Sequence, residues 1–360
     1  GALQLGILFA VLYGLVSLFG ASRLIGFFKL NSPEVIAQAE WYVRIACGLV
    51  IFSYLNAILT GLLTAAGNSR TPFIVNVAGL VFNVVLDPVL IFGIGPFPEL
   101  GVSGAAAATV TAQALVSLLF FKAVLREKVL FPHLRLWVLV PVKVWREIVR
   151  IGVPSAVQNL IYAGISMILT RLITGWGDLA VAAQRVGSQI ESVSWMVGDG
   201  FSAAVNAFLG QNYGAKRYDR VRRGYFCAIA MTAAWGLCTT FLLIGMARPL
   251  FSIFLQEEEV MAIGVNYLRI VGLSQMFMMV EQTSIGAFSG LGRTLYPSIV
   301  SVTFTSARIP VAVLLSSVMG LSGIWWALSI SSMVKGCILF GSFVVFLYVF
   351  LERKKDEETV

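Results

Sequence analysis

Asp87 stands inside the apolar run 73–95, four residues after Asn83 and directly before Pro88. On a helix that spacing puts the amide and the carboxylate on one face. Pro88 has no N–H to give the Val84 carbonyl, so a kink beside the carboxylate is expected. A carboxylate, an amide oxygen and a freed carbonyl are oxygen ligands for a small cation; the same carboxylate can carry a proton instead. Glu191, Glu281, Arg308 and Lys335 also fall within apolar runs. Ionisable groups at membrane depth are costly and mark function by default. These four allow two readings: an acidic cavity wall for cationic substrates or a second proton site, or ion pairs of Glu281 or Glu191 with Arg308 or Lys335 that neutralise buried charge. Tyr162, Trp195, Phe82 and Met196 could stack on flat cations or simply pack.

The elements that must hold these groups are apolar helices. Of the 360 residues 58% are hydrophobic and 12% charged, with mean hydropathy +0.87, about half the usual charged share of a soluble protein. Runs near 2–21, 42–65, 73–95, 102–125, 148–173, 179–207, 225–246, 267–290, 296–318 and 322–350 each reach the roughly 20 residues needed to cross a bilayer. They are continuous, not alternating, which excludes a β-barrel. The net charge of +8 is read loop by loop. Lys122, Arg126, Lys128, Arg135, Lys143 and Arg146 share one connection; Lys216, Arg217, Arg220, Arg222 and Arg223 share another; Arg70, Arg293 and the tail Arg353, Lys354 and Lys355 mark three more. Every second connection is basic, and the Glu257–Glu259 stretch is acidic, so the positive-inside rule puts both ends in the cytoplasm of a multi-pass plasma-membrane protein. No nucleic-acid partner is implied, and the basic segments suit anionic lipid head groups. The four cysteines lie in apolar runs and read as small packing residues. An intramembrane enzyme is disfavoured: the single histidine, His133, lies in a connection, and no cluster of metal-ligand spacing accompanies it. No phosphate-binding Gly-rich motif appears, so ATP is not the direct energy source.

The sequence repeats itself. An offset of 225 residues lays Tyr42, Arg44 and Ile45 on Tyr267, Arg269 and Ile270, and Gly61, Gly67 and Pro72 on Gly286, Gly292 and Pro297. After a shift in register Gly101-Val-Ser-Gly104 meets Gly320-Leu-Ser-Gly323. The repeat pairs the first four helices with the last four, an even displacement, which implies parallel copies related by an axis along the membrane normal. Helices five and six have no partners, so two further helices are expected upstream and twelve in all.

These residues resemble the multidrug and toxic compound extrusion (MATE) family. The match runs through Gly67-Asn-Ser-Arg-Thr-Pro72, Asn83-Val-Val-Leu-Asp87-Pro88, Gly101-Val-Ser-Gly104, Gln189-Ile-Glu191, Gly210-Gln-Asn-Tyr-Gly-Ala215 and Gly290-Leu-Gly-Arg-Thr294, covering the chain from the family's third helix onward. The resemblance implies an all-α polytopic membrane protein of two six-helix, parallel-repeat bundles, ten of the twelve helices present here. On that plan 1–125 is the N-terminal bundle with four helices, 126–146 a cytoplasmic linker, 147–350 the C-terminal bundle and 351–360 a cytoplasmic tail. It further implies a monomeric secondary antiporter that exports organic, often cationic, drugs or metabolites by alternating access, coupled to protons or sodium and using no other cofactor. Asn83, Asp87 and Thr109, with Thr111 as a fallback, would form the first-bundle cation site, where sodium is possible. Glu281, Glu191, Gln158, Tyr162 and Arg308 are the candidates for the substrate cavity. The acidic residue that some members carry in the helix corresponding to 148–173 has no counterpart; Gln158, Asn159 and Tyr162 are the polar positions there. The alternatives are a related flippase for lipid-linked oligosaccharides, whose cavity carries more cationic residues, and a transporter fragment without activity.

Overall fold

The computed structural model describes residues 1–26, 33–126, 140–255 and 257–351. Every regular element among them is helical. The helices are α1 (Ala2–Gly26), α2 (Pro33–Tyr42), α3 (Ile51–Ala65), α4 (Arg70–Phe92), α5 (Gly101–Arg126), α6 (Val142–Thr174), α7 (Asp178–Gly214) and α8 (Tyr218–Gly245). They continue as α9 (Ala247–Ser252), α10 (Glu258–Gly272), α11 (Gln275–Gly290), α12 (Leu295–Ser306), α13 (Arg308–Met319) and α14 (Leu321–Phe346), with short π-helical turns at Val43–Cys47 and Leu347–Leu351. Of the described chain, seven segments are long and apolar enough to cross a membrane, or nine when two bent pairs each count as one span. The tenth expected span, 179–207, is helical within the 37-residue α7, but Arg185, Glu191 and Asp199 reduce its apolarity.

Several connections expected from charge are helix instead. Arg220, Arg222 and Arg223 lie in the first turns of α8, and the turn from α7 is confined to Ala215–Arg217, where Lys216 takes a φ of 56°. Glu258 and Glu259 open α10; carboxylates there meet the positive end of the helix dipole, and Glu258 also pairs with Arg248 at 2.6 Å. A helix whose backbone is already satisfied can run past the apolar zone, so span ends need not coincide with helix ends. Cys227, Cys238 and Cys337 are exposed and only Cys47 is half-buried, so three of the four face outward rather than filling packed interiors. His133, Lys128, Arg135 and residues 352–360 of the tail lie outside the described residues.

The chain divides into two compact units, Gly1–Ile148 and Val149–Val360, with the boundary inside α6. The first unit has a small interior of Leu63, Val75, Val116 and Phe120. The second has two larger ones, in which Tyr267 meets Trp325 edge-on at 4.9 Å and Tyr225 packs on Phe343. Large apolar side chains such as Phe19 and Phe241, 86% and 73% exposed, cover the outside, as lipid requires.

The repeat is written in the backbone as well. Gly67 and Gly292, one offset apart, both end a helix with positive φ, 88° and 69°. Gly101 and Gly320 again share positive φ, 54° and 63°. The helix before each is broken at matching places: Pro33–Cys47 meets Ile51–Ala65 at 40°, and Glu258–Gly272 meets Gln275–Gly290 at 50°. At the second break the Gly272 carbonyl accepts from Thr240 Oγ1 at 2.9 Å, which satisfies a group the helix no longer serves.

Candidate functional site

In the first unit α4 lies against α5, and two small residues set the approach. A Cβ on Gly104 would stand 2.4 Å from the Leu90 carbonyl oxygen, and one on Gly79 would collide with Val116. Between these two crossing points lie Asn83 and Asp87 on α4 and Thr109 on α5. Asn83 Nδ2 donates to Asp87 Oδ1 at 3.2 Å, and both residues are half-buried. Thr109 is half-buried at the same level but forms no hydrogen bond to either. Thr111 gives its hydroxyl to the Ala107 carbonyl at 2.7 Å, a bond within its own helix. Pro88 does not interrupt the helix: α4 runs unbroken from Arg70 to Phe92, because a single missing N–H near the end of a helix leaves the remaining ladder intact. A polar staple that the sequence did not single out joins α3 to α5. Asn56 Nδ2 donates to Gln113 Oε1 at 2.7 Å, and Ser117 donates to Asn56 Oδ1 at 2.8 Å. Its one sequence signal was a lone Asn in an apolar helix.

The second unit holds a partly open chamber of about 770 Å³. Gln158 and Tyr162 reach its wall from α6, Glu191, Trp195 and Asp199 from α7, Glu281 from α11, Arg308 from α13 and Lys335 from α14. The structure therefore gathers all five second-unit candidates into one cavity. Glu281 and Lys335, each 5% exposed, form an ion pair at 2.8 Å. Glu191 is held otherwise: one carboxylate oxygen accepts from the Tyr267 hydroxyl and the other from Gln275 Nε2, both at 3.0 Å. Gln282 Nε2 donates to Asp199 at 3.0 Å. Arg308, 8% exposed, donates from Nε to Ser331 at 3.1 Å and from one Nη to Ser332 at 3.0 Å. Tyr267, Gln275, Ser331 and Ser332 are the partners that sequence reasoning missed; only their polarity inside apolar runs could have signalled them. Three acids (Glu191, Asp199, Glu281) and three bases (Arg185, Arg308, Lys335) line the chamber, so its formal charge is balanced and its wall is not purely acidic.

A chain whose described residues form only helices, repeated at a fixed offset and lining a charged chamber, defines a polytopic membrane transporter fold. The MatE family model matches residues 2–89 and 154–314, well over half of the chain, and the protein belongs to that family. Among its relatives, "Probable multidrug resistance protein NorM" of Thermotoga maritima is 31% identical over 317 residues, 84% of this chain and 66% of that protein. "Probable multidrug resistance protein YoeA" of Bacillus subtilis is 27% identical over 98% of this chain and 75% of its own length. The chain thus spans about two thirds of the length of the first relative and three quarters of the second. A solved outward-facing multidrug resistance MATE family transporter of the MOP superfamily matches with a TM-score of 0.87 at 19% identity, over 98% of this chain and 79% of that one. At that identity the likeness is one of fold.

Proposed function

We propose that the protein is a secondary exporter in the cytoplasmic membrane of a prokaryote, moving small organic molecules outward by alternating access in exchange for protons or sodium, with both ends of the chain in the cytoplasm. The observation that carries this is the chamber of about 770 Å³ in the second unit. It is large enough for a drug-sized ligand, and its wall gathers charged and polar side chains inside an apolar helical bundle, where their cost needs a functional return. Membership of the MatE family and relatives named for multidrug resistance support the same reading. Asp87, with Asn83 bonded to it and Thr109 at its level, is the coupling site in this scheme. Its carboxylate is half-buried and bonded to one neutral donor, which leaves it lone pairs for a cation. The protein functions as a monomer.

The test is transport by the purified protein in proteoliposomes loaded with a fluorescent cationic dye, under an imposed proton gradient and, separately, a sodium gradient. One gradient moves the dye, and Asp87→Asn abolishes that movement while leaving membrane insertion unchanged. Full transport by the variant overturns the site assignment; no movement under either gradient overturns the coupled-exporter reading for cationic dyes.

A further inference from the structure

The repeat offset carries a comparison from one site to the other. Leu90 and Leu315 are 225 residues apart and play the same part: the carbonyl of each lies against a glycine in the first turn of the next helix. A Cβ on Gly104 would lie 2.4 Å from the Leu90 oxygen and one on Gly323 would lie 2.3 Å from the Leu315 oxygen. The register therefore holds through α4 and its counterpart, α12 with α13, and the shift in offset falls in the shorter connection before Gly320. In that register Asn83 corresponds to Arg308 and Asp87 to Ala312. Where the first copy presents an amide and a carboxylate, the second presents a fixed guanidinium with no acid one turn away.

That guanidinium is positioned without a direct ion pair. Ser331 accepts from Arg308 Nε and gives its own hydroxyl to the Phe304 carbonyl at 2.9 Å, which ties the head group to the break between α12 and α13. Ser332 takes one Nη. No carboxylate oxygen of the described residues lies within 4 Å of it. Glu191 is near enough for its charge to act on Arg308, but its two oxygens accept from Tyr267 and Gln275, and Glu281 is held by Lys335. Two hydroxyls cannot use the five N–H donors of a guanidinium, and the remaining Nη makes no hydrogen bond among the described residues. The residue is more than nine-tenths buried and lines the chamber. On the same wall Ser301, 3% exposed, has a buried hydroxyl without a partner. Ser301, Thr305 and Arg308 follow one another at four and three residues, the spacing of a single helix face.

The geometry points to Arg308 as an anion-binding residue: the chamber takes an organic molecule by a carboxylate or phosphate group set on the Arg308 fork, with Ser301 as a further donor. This deepens the exporter reading and rests on it for the chamber's role, and it narrows the substrate from organic cations in general to molecules that carry an acidic group.

Binding, not transport, tests it. Four naphthalene probes share a ring and differ in head group: 2-naphthoate, 2-naphthyl phosphate, 2-naphthylmethanol and 2-naphthylmethylammonium. They are titrated calorimetrically into the detergent-solubilised protein, with empty micelles as the blank. The wild type is expected to bind one or both anions roughly tenfold to a hundredfold more tightly than the alcohol, the range spanned by a charge-assisted hydrogen bond. Which anion leads distinguishes a carboxylate from a phosphate substrate. Arg308→Gln removes that preference, Arg308→Lys retains part of it because the charge stays and the fork is lost, and cooperative thermal unfolding of both variants in detergent shows that the chamber is still folded. Equal affinity of the wild type for anion and alcohol, or a preference that survives Arg308→Gln, overturns the proposal. Selective binding without gradient-driven transport leaves it standing and removes the exporter reading; transport of dyes without anion selectivity does the reverse.

Discussion

Removing the Lys335 ammonium while leaving the Glu281 carboxylate in place strands a charge that is only 5% exposed. Breaking a buried pair from one side costs about 3–5 kcal/mol, whereas replacing both partners with apolar groups is often close to neutral. Lys335→Met is therefore expected to lower the thermal unfolding temperature in detergent strongly, and Lys335→Met with Glu281→Leu to recover most of the loss. If the double variant is as unstable as the single one, the pair contributes something other than mutual neutralisation. At this scale the sequence offered the right set of charges but not their matching. The alternatives were Glu281 or Glu191 with Arg308 or Lys335, and only helix packing decides that Lys335 meets Glu281 while Glu191 finds the phenol of Tyr267 and the amide of Gln275. Partners 76 and 84 residues from Glu191 leave no trace in local spacing.

Among the elements, the pairs α4 with α5 and α13 with α14 each meet backbone to backbone at one glycine. At Gly104 and Gly323 a side chain would enter the backbone of the facing helix, 2.4 Å and 2.3 Å from a carbonyl oxygen. Rigid backbone cannot yield there as a flexible side chain can. Gly104→Leu and Gly323→Leu are each expected to destabilise by about 1–3 kcal/mol or more, the cost of overpacking. Gly200→Ala and Gly341→Ala, helical positions with open space around the new methyl, are expected to be neutral or stabilising by up to about 1 kcal/mol. Thermal unfolding of the four variants checks the contrast, and an unaffected Gly323→Leu would mean that α13 and α14 do not pack so closely. The helices themselves were legible, because runs of apolar residues of bilayer length admit no other backbone solution. Their bends were not. The break at Leu273 and Ser274 has no proline and only Gly272 before it, while α4 passes through Pro88 without a break. What decides is whether a neighbour serves the freed carbonyl, as Thr240 does for Gly272, and that is a property of packing.

For the molecule as a whole, one scaffold is used twice with different polar inserts: Asn83 and Asp87 in the first unit, Arg308 with its two serines in the second. A repeated fold gives two similar frames, and the division of labour lies in what each frame carries. Gradient-driven export then imposes a condition that neither site meets alone. An ion bound equally well in every conformation shifts no equilibrium, and two ligands that bias the same conformational change must alter each other's affinity by one common factor. If Asp87 holds the coupling ion, saturating the protein with sodium, or lowering the pH where the ion is a proton, changes substrate affinity by a factor of roughly 5–150. Saturating it with substrate changes the apparent ion affinity by the same factor. Asp87→Asn sets both factors to one while leaving intrinsic substrate affinity in place. Calorimetric titration of each ligand in the presence and absence of the other measures the pair directly. Substrate affinity indifferent to both sodium and pH would leave the gradient no hold on the cargo, and the chamber would then act as a binding site rather than a pump.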